Sequence, residues 1–192
     1  MIKQISILVS FVCLLASCSD NYQPKPRGYF RIETPEKSYT TYEADCPLSF
    51  EIPKYSRVEI IPGHQTDTCW LNISYPRFDA KLHCTYLGVD NNLETYLNES
   101  YAFAFKHESK ANSIKRTPFN YPNHAVSGLV YDLEGSVATS LQFYATDSLN
   151  HFFRGSLYFN VHPNPDSLAP ALAFLREDVD HLISTLNWSN GE

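Results

Sequence analysis

The sequence predicts an α+β fold in which a largely antiparallel sheet has helices packed on it. Short strand-like runs separated by Pro, Gly, Asn and Asp follow one another from residue 48. Three further runs between residues 125 and 160 are joined by turns so short that the strands must pair antiparallel. Apolar residues at helical spacing predict one helix after residue 90 and another after residue 165.

The N-terminal segment has the layout of an export signal. Lys3 supplies a positive charge, and residues 5–15 form an apolar run shorter than the ~18–20 residues of a membrane-spanning helix. Leu-Ala-Ser directly before Cys18 resembles the bacterial lipoprotein box, in which the thiol is lipidated and the preceding segment is removed. The alternative is an ordinary secretory signal with an incidental cysteine. We predict a signal peptide over residues 1–17 and a lipid anchor at Cys18, which would hold the protein at an envelope membrane, facing the periplasm.

Residues 18–44 are interpreted as a lipidated tether and an extended, proline-rich arm. Within the arm, residues 24–31 (PKPRGYFR) are basic and aromatic, although the whole chain has a formal net charge of −6. This segment is either a spacer whose rings pack on the domain or a docking strip for a partner protein. The partner-binding residues predicted in the docking strip are Arg27, Tyr29, Phe30 and Arg31.

The cysteines after Cys18 would stand in an oxidising compartment, where a disulfide persists. Cys46 and Cys69 each stand at the head of a strand-like run, and we predict a disulfide between them. Closing a loop of about two dozen residues stabilises a fold by about 3 kcal/mol in the chain-entropy model. Cys84 lies inside an alternating run and is predicted to be a small buried hydrophobe. The alternative, zinc bound by these three cysteines and a histidine, lacks any C-x-x-C spacing.

Residues 45–190 are predicted to form a single domain. After the first strands, a helix of roughly twenty residues is expected to begin at Asp90-Asn91-Asn92, with Asn91 and Glu94 at the spacing of a capping pair. Its predicted apolar stripe is Leu93, Leu97, Tyr101, Ala104 and Phe105.

A meander over residues 125–133, 137–146 and 151–160 is expected to follow. The last predicted element is a helix capped by Asp166-Ser167, with Pro170 in its first turn and Trp188 near its end.

Candidate catalytic chemistry is confined to this last helix. Asp178 and His181 are three residues apart, so they could meet as an acid/base pair. We interpret them, with Glu177, as solvated helix charges instead. The sequence has no H-E-x-x-H, G-x-S-x-G or glycine-rich phosphate loop. We therefore predict a protein that is not an enzyme, with no catalytic residue, no metal ligand and no cofactor.

Arg154-Gly155 lies within a predicted strand. A glycine inside a strand marks a close approach by another group, and Arg154 would point to the opposite face. The alternative, which we favour, is an edge or bulge glycine beneath a bulky helix side chain. Trp70 and Arg154 are predicted as a second pair of partner-binding residues.

Seven stretches in order along the chain carry a family resemblance. They are residues 22–32 (YQPKPRGYFRI), 45–47 (DCP), 69–73 (CWLNI), 92–97 (NLETYL), 152–160 (FFRGSLYFN), 165–170 (PDSLAP) and 175–182 (LREDVDHL). Together with Cys18 they resemble the gliding motility lipoprotein GldD family of Bacteroidota. The resemblance implies an envelope lipoprotein required for gliding, in a lineage where gliding is coupled to type IX secretion. It carries over no catalytic residue.

The order of elements also looks like the Mog1/PsbP-type sandwich, whose members are mostly binding and assembly factors. We expect an accessory protein that binds other gliding and type IX secretion envelope proteins. The acidic balance argues against nucleic acid as a partner. Two alternatives stay open: an envelope hydrolase using Asp178 and His181, and a small-ligand or lipid carrier with a deep apolar pocket.

Overall fold

The computed structural model describes residues 33–43, 46–62, 68–161 and 164–189. The predicted signal peptide and most of the tether lie outside these residues. The predicted site residues that lie there are Cys18, Arg27, Tyr29, Phe30 and Arg31. Their assignments stay predictions.

The described residues form ten strands and two α-helices. The strands, numbered in chain order, are β1 (Tyr39–Glu43), β2 (Leu48–Pro53), β3 (Arg57–Ile60), β4 (Thr68–Tyr75), β5 (Ala80–Gly88), β6 (Ala111–Tyr121), β7 (Val126–Gly135), β8 (Thr139–Thr146), β9 (His151–Phe159) and β10 (Asn187–Trp188). The helices are α1 (Leu93–Phe105) and α2 (Pro165–Ser184). Short 3-10 turns at Pro76–Phe78 and Pro122–His124 lead into β5 and β7.

Seven strands form the main sheet, in the order β3-β4-β5-β9-β8-β7-β6. A smaller sheet has the order β1-β2-β10. Neighbouring strands in both sheets are antiparallel. This arrangement confirms the predicted α+β class, including the meander that became β7, β8 and β9.

The main core lies between the inner face of the main sheet and a layer made of β2 and α2. Leu71, Ile73 and Leu82 of the sheet are at most 1% exposed, as are Phe50 of β2 and Leu175 of α2. Removing this apolar surface from water supplies the main driving force for the fold. A second, smaller core lies on the outer face of the sheet, under α1.

A disulfide joins the two layers. Cys46 precedes β2 and Cys69 lies in β4, and their Cα atoms are 6.0 Å apart. Cys84 carries a free thiol on the inner face of β5, where it is 2% exposed. Burial raises the pKa of this thiol, so it stays uncharged at neutral pH and packs as an apolar group.

The first helix differs from its prediction. It has 13 residues instead of roughly twenty, and it is followed by turns at residues 106–110 and by β6. Asn92 is its N-cap residue, and the Asn92 Oδ1 atom accepts the backbone N–H of Asp90 rather than a helical donor. The predicted capping pair of Asn91 and Glu94 is therefore wrong.

The face that α1 buries agrees with the predicted stripe except at two positions. Ala104 is buried and Leu93, Leu97 and Phe105 are partly buried, as predicted. Tyr101 is 45% exposed, and Ser100, which was not predicted, is buried. The second core needs only small side chains at this contact, since the bulk comes from Tyr131 and Leu133 of β7.

The last helix begins earlier than predicted. Its N-cap is Asn164, whose side-chain oxygen accepts the backbone N–H of Ser167. Pro165 occupies the first turn, which moves Pro170 into the helix interior. Trp188 belongs to β10, after the helix has ended at Ser184.

Three strands lie where none was predicted: β6, β1 and the two-residue β10 that contains Trp188. β6 forms an edge of the main sheet, where Pro118 is tolerated because an edge strand can leave one N–H position unused. β1 lies within residues 18–44, which were assigned to the arm, and pairs with β2 along its full length. The folded part of the chain therefore begins before residue 45.

Candidate functional site

Trp70 and Arg154 lie in one row across the outer face of the main sheet. Trp70 of β4 is opposite Thr85 of β5, and Thr85 is opposite Arg154 of β9. At about 4.8 Å between neighbouring strands, their backbones are about 10 Å apart. Trp70 is 45% exposed. The structure therefore brings the two residues predicted from separate segments to one face.

Arg154 is held by the first helix. Its Nη1 atom lies 3.5 Å from Oε2 of Glu99, and its guanidinium carbon lies 4.7 Å from the centre of the Phe103 ring. Burial lowers the pKa of Arg154, and the Glu99 carboxylate acts in the opposite direction. An arginine pKa starts so high that the group stays a cation at neutral pH. The row thus combines an exposed indole with a positioned positive charge.

Gly155 faces the inner side of the same strand. A Cβ atom there would lie 2.3 Å from Cε1 of Phe143, on the neighbouring strand β8. β9 is an interior strand, and its pairing runs without interruption through Gly155 to both neighbours. The favoured interpretation, an edge or bulge glycine beneath a helix side chain, is therefore wrong. The group that approaches Gly155 closely is the Phe143 ring of the neighbouring strand.

A cavity of about 390 Å³ lies between the outer face of the sheet and the C-terminal part of α1 with the residues that follow it. Ser100, Phe103 and Lys106 line its helix side, and Arg154 and Tyr158 line its sheet side. This cavity adjoins the row that contains Trp70, because Arg154 belongs to both.

Asp178 on α2 is fully buried, which corrects its interpretation as a solvated helix charge. Its Oδ1 accepts hydrogen bonds from Lys37 Nζ at 2.7 Å and from the Tyr39 hydroxyl at 3.0 Å, and its Oδ2 accepts one from the Tyr55 hydroxyl. Burial, followed by the hydrogen bond to Asp178, raises the pKa of both tyrosines. These hydroxyls therefore stay protonated and act as donors.

Lys37 fixes the end of the arm against α2. Besides Asp178, its Nζ atom donates to the carbonyl of Phe174 at 2.6 Å and lies 3.7 Å from the centre of the Phe174 ring. Its side chain is 23% exposed. The arm residues that precede β1 are thus bound to the domain by a buried ion pair.

Lys37, Tyr39 and Tyr55 are not among the site residues predicted from the sequence. One signal was available: Asp178 lies three residues after Leu175 and four before Leu182, so it shares their buried face. A carboxylate on an apolar stripe requires buried partners. The sequence does not identify these partners, because they lie more than 120 residues before Asp178.

His181 has its own partners. Its Nε2 atom lies 2.6 Å from Oε2 of Glu51, and its ring stacks on Tyr39 with centres 3.7 Å apart. Across the ranges given above, no hydrogen bond joins Asp178 to His181. The two residues are three positions apart on the helix, yet each is committed to a different contact.

The described part of the chain has neither a candidate metal site nor a candidate membrane-spanning helix. No three His, Cys, Asp or Glu side chains are grouped there so that they could hold a metal ion. None of the helices in those residues has the length and apolar character needed to cross a membrane.

Comparison with known proteins identifies the chain. A family model described as gliding motility lipoprotein GldD matches residues 19–188. No curated protein matches the chain significantly, and neither does any solved structure. The family match spans the strands and helices described above, together with the docking strip. The chain therefore belongs to the gliding motility lipoprotein GldD family, which gives it a role in gliding motility and a membrane-anchored place in the cell envelope.

Proposed function

We propose that this protein is a non-catalytic accessory component of the gliding and type IX secretion machinery, and that it acts by binding other envelope proteins at the periplasmic side of its membrane. The observation that carries the proposal is the row of Trp70 and Arg154. An exposed tryptophan beside a positioned arginine is the composition typical of energetically important interface residues.

The state of the candidate acid/base pair supports a non-catalytic role. A general base must reach the proton that it abstracts. The Asp178 carboxylate is fully buried and accepts three hydrogen bonds, so its acceptor capacity is used within the fold. His181 is paired with Glu51 and stacked on Tyr39. The contact with Tyr39 attaches β1 to α2, and the contact with Glu51 attaches β2 to α2.

The docking strip belongs to the same proposal. Its arginines and aromatic rings stand between the predicted anchor at Cys18 and the first described residue, Glu33. A partner that contacts both this strip and the outer face of the sheet would bind two separate surfaces of one chain, which raises avidity.

The experiment replaces Trp70 with alanine in cells. We expect the variant to lose chemical crosslinks to envelope proteins and to reduce colony spreading, while its cellular level stays normal. Leu149→Ala is the matched control, because Leu149 is 72% exposed in the turn between β8 and β9. Normal crosslinking and spreading in Trp70→Ala cells would overturn the proposal. Equal losses of crosslinking and spreading in Trp70→Ala and Leu149→Ala cells would also overturn the proposal.

A further inference from the structure

The cavity under α1 has the features of a binding groove, and we name it the α1 groove. Its lining residues are Ser100, Phe103, Lys106, His107, Arg154 and Tyr158, among others. It lies on the outer face of the sheet, on the side opposite the main core. Phe103 is 46% exposed and Tyr158 is 36% exposed, so two aromatic rings are accessible beside it.

The groove contains a polar group with no partner. Ser100 is 6% exposed, and its buried hydroxyl makes no hydrogen bond to any described residue. Buried hydroxyls almost always find a donor or an acceptor, because leaving one unsatisfied is costly. Ser100 lines the cavity, so rotation of its side chain about χ1 would turn the hydroxyl toward a ligand in the groove, which would supply the missing partner.

The charged side chains that line the groove, Lys106 and Arg154, are both positive. The Glu99 carboxylate lies 3.5 Å from Arg154 and offsets part of that charge. Burial lowers the pKa of His107, and Lys106 and Lys110 lower it further. His107 is therefore a neutral imidazole at neutral pH, which can donate one hydrogen bond.

Charge also limits what can occupy the groove. The chain carries a net charge of −6, so a cationic rim here stands out from the rest of the molecule. The protein's own docking strip is basic and would be repelled by Lys106 and Arg154. A partner segment with carboxylates has the complementary charge.

We propose that the α1 groove binds an acidic segment of a partner protein. Arg154 and Lys106 contact its carboxylates, the Ser100 hydroxyl bonds to the segment, and Phe103 and Tyr158 contact its apolar side chains. This inference rests on the proposed function, because it supplies a surface and a partner chemistry for the same binding activity.

The test uses the full-length protein in detergent and a fluorescent, Glu-rich probe peptide containing one tyrosine. The control probe has glutamine in place of each glutamate. We expect anisotropy titration to show binding of the Glu-rich probe that weakens as salt is added, because salt screens exposed charges. Similar affinity for both probes would overturn the proposal.

Two substitutions test the groove itself. Lys106→Glu should lower the affinity for the Glu-rich probe at least fivefold. Lys54→Glu, in the turn between β2 and β3, is the control because it changes the net charge equally. Its affinity for the probe should stay within twofold of the parent value. Ser100→Ala should weaken binding without lowering the unfolding midpoint, because the hydroxyl has no partner in the free protein. Unchanged affinity in both groove variants would overturn the proposal.

Crosslinking in cells separates failure of this inference from failure of the proposed function. Loss of a crosslinked partner in Lys106→Glu cells supports the groove. Retention of all partners in Lys106→Glu cells, with loss in Trp70→Ala cells, overturns the groove alone. Retention of all partners in both strains overturns the groove and the proposed function together.

Discussion

Replacing Asp178 with alanine should remove the centre of the cluster that binds the arm to α2. The substitution takes away the acceptor of the Lys37 ammonium group and of the Tyr39 and Tyr55 hydroxyls. Lys37 would then be held beside Phe174 with no buried counter-charge. The carbonyl of Phe174 and the exposed Glu177 carboxylate, whose Oε2 atom lies 3.6 Å from Nζ, would be its remaining partners on α2.

The expected size of the effect follows from burial. Removing one partner of a buried ion pair costs about 3–5 kcal/mol, because the other charge is left without compensation. Asp178 is 0% exposed and Lys37 is largely buried, so this range applies. With an m-value of about 2 kcal/mol/M, a loss of about 4 kcal/mol lowers the urea midpoint by about 2 M. Asp178→Asn keeps one carbonyl acceptor, so its urea midpoint should lie between those of the parent protein and Asp178→Ala.

The assay is equilibrium urea unfolding followed by tryptophan fluorescence and by circular dichroism. Asp180→Ala is the control on the same helix, because Asp180 is half exposed and its partner Arg176 also pairs with Asp132. An exposed pair of this kind contributes about 0.3–0.5 kcal/mol. A loss of stability in Asp178→Ala no larger than that in Asp180→Ala would show that the buried ion pair does not stabilise the fold.

Three further predictions concern other parts of the fold. Gly155→Ala should cost about 1–3 kcal/mol, because its Cβ would overlap the Phe143 ring; an unchanged melting temperature would contradict this. Replacing Cys46 and Cys69 together with serine should cost about 3 kcal/mol, measured by urea unfolding against the oxidised parent, and equal stability would argue against a role for the bond. Burial raises the pKa of Asp147, but three backbone N–H groups that donate to it lower the pKa below its ordinary value. Its contribution to stability is thus present above about pH 4 and lost as the pH falls through the lowered pKa; Asp147→Asn should flatten this acid limb, and an identical limb would contradict the assignment.

The elements that could be predicted have local signals. The strands β7, β8 and β9 alternate with period two and are joined by short turns, which leave antiparallel pairing as the only arrangement. The helix α2 carries apolar residues at helical spacing over its full length. The predicted start is two residues late because Asn164, Asp166 and Ser167 can all cap a helix, and the sequence does not show which of them is the N-cap.

The elements that could not be predicted depend on distant contacts. The strand β6 is polar and contains Pro118, so it resembles a loop until the edge of the sheet is known. The strand β1 has an exposed, polar sequence and exists because β2 offers it a partner. The Asp178 cluster joins residues more than 120 positions apart, and no periodicity in the sequence encodes that distance.

The attachment of Lys37 to α2 has a mechanical consequence for a membrane-anchored protein. Tension applied from the N-terminal side of the chain reaches the Lys37–Asp178 ion pair before it reaches the backbone hydrogen bonds between β1 and β2. Just behind it, the Lys54 N–H donates to the Ser38 carbonyl and extends that hairpin. The ion pair would therefore bear tension on the anchored end of the chain first, and β1 would be protected from separating from β2.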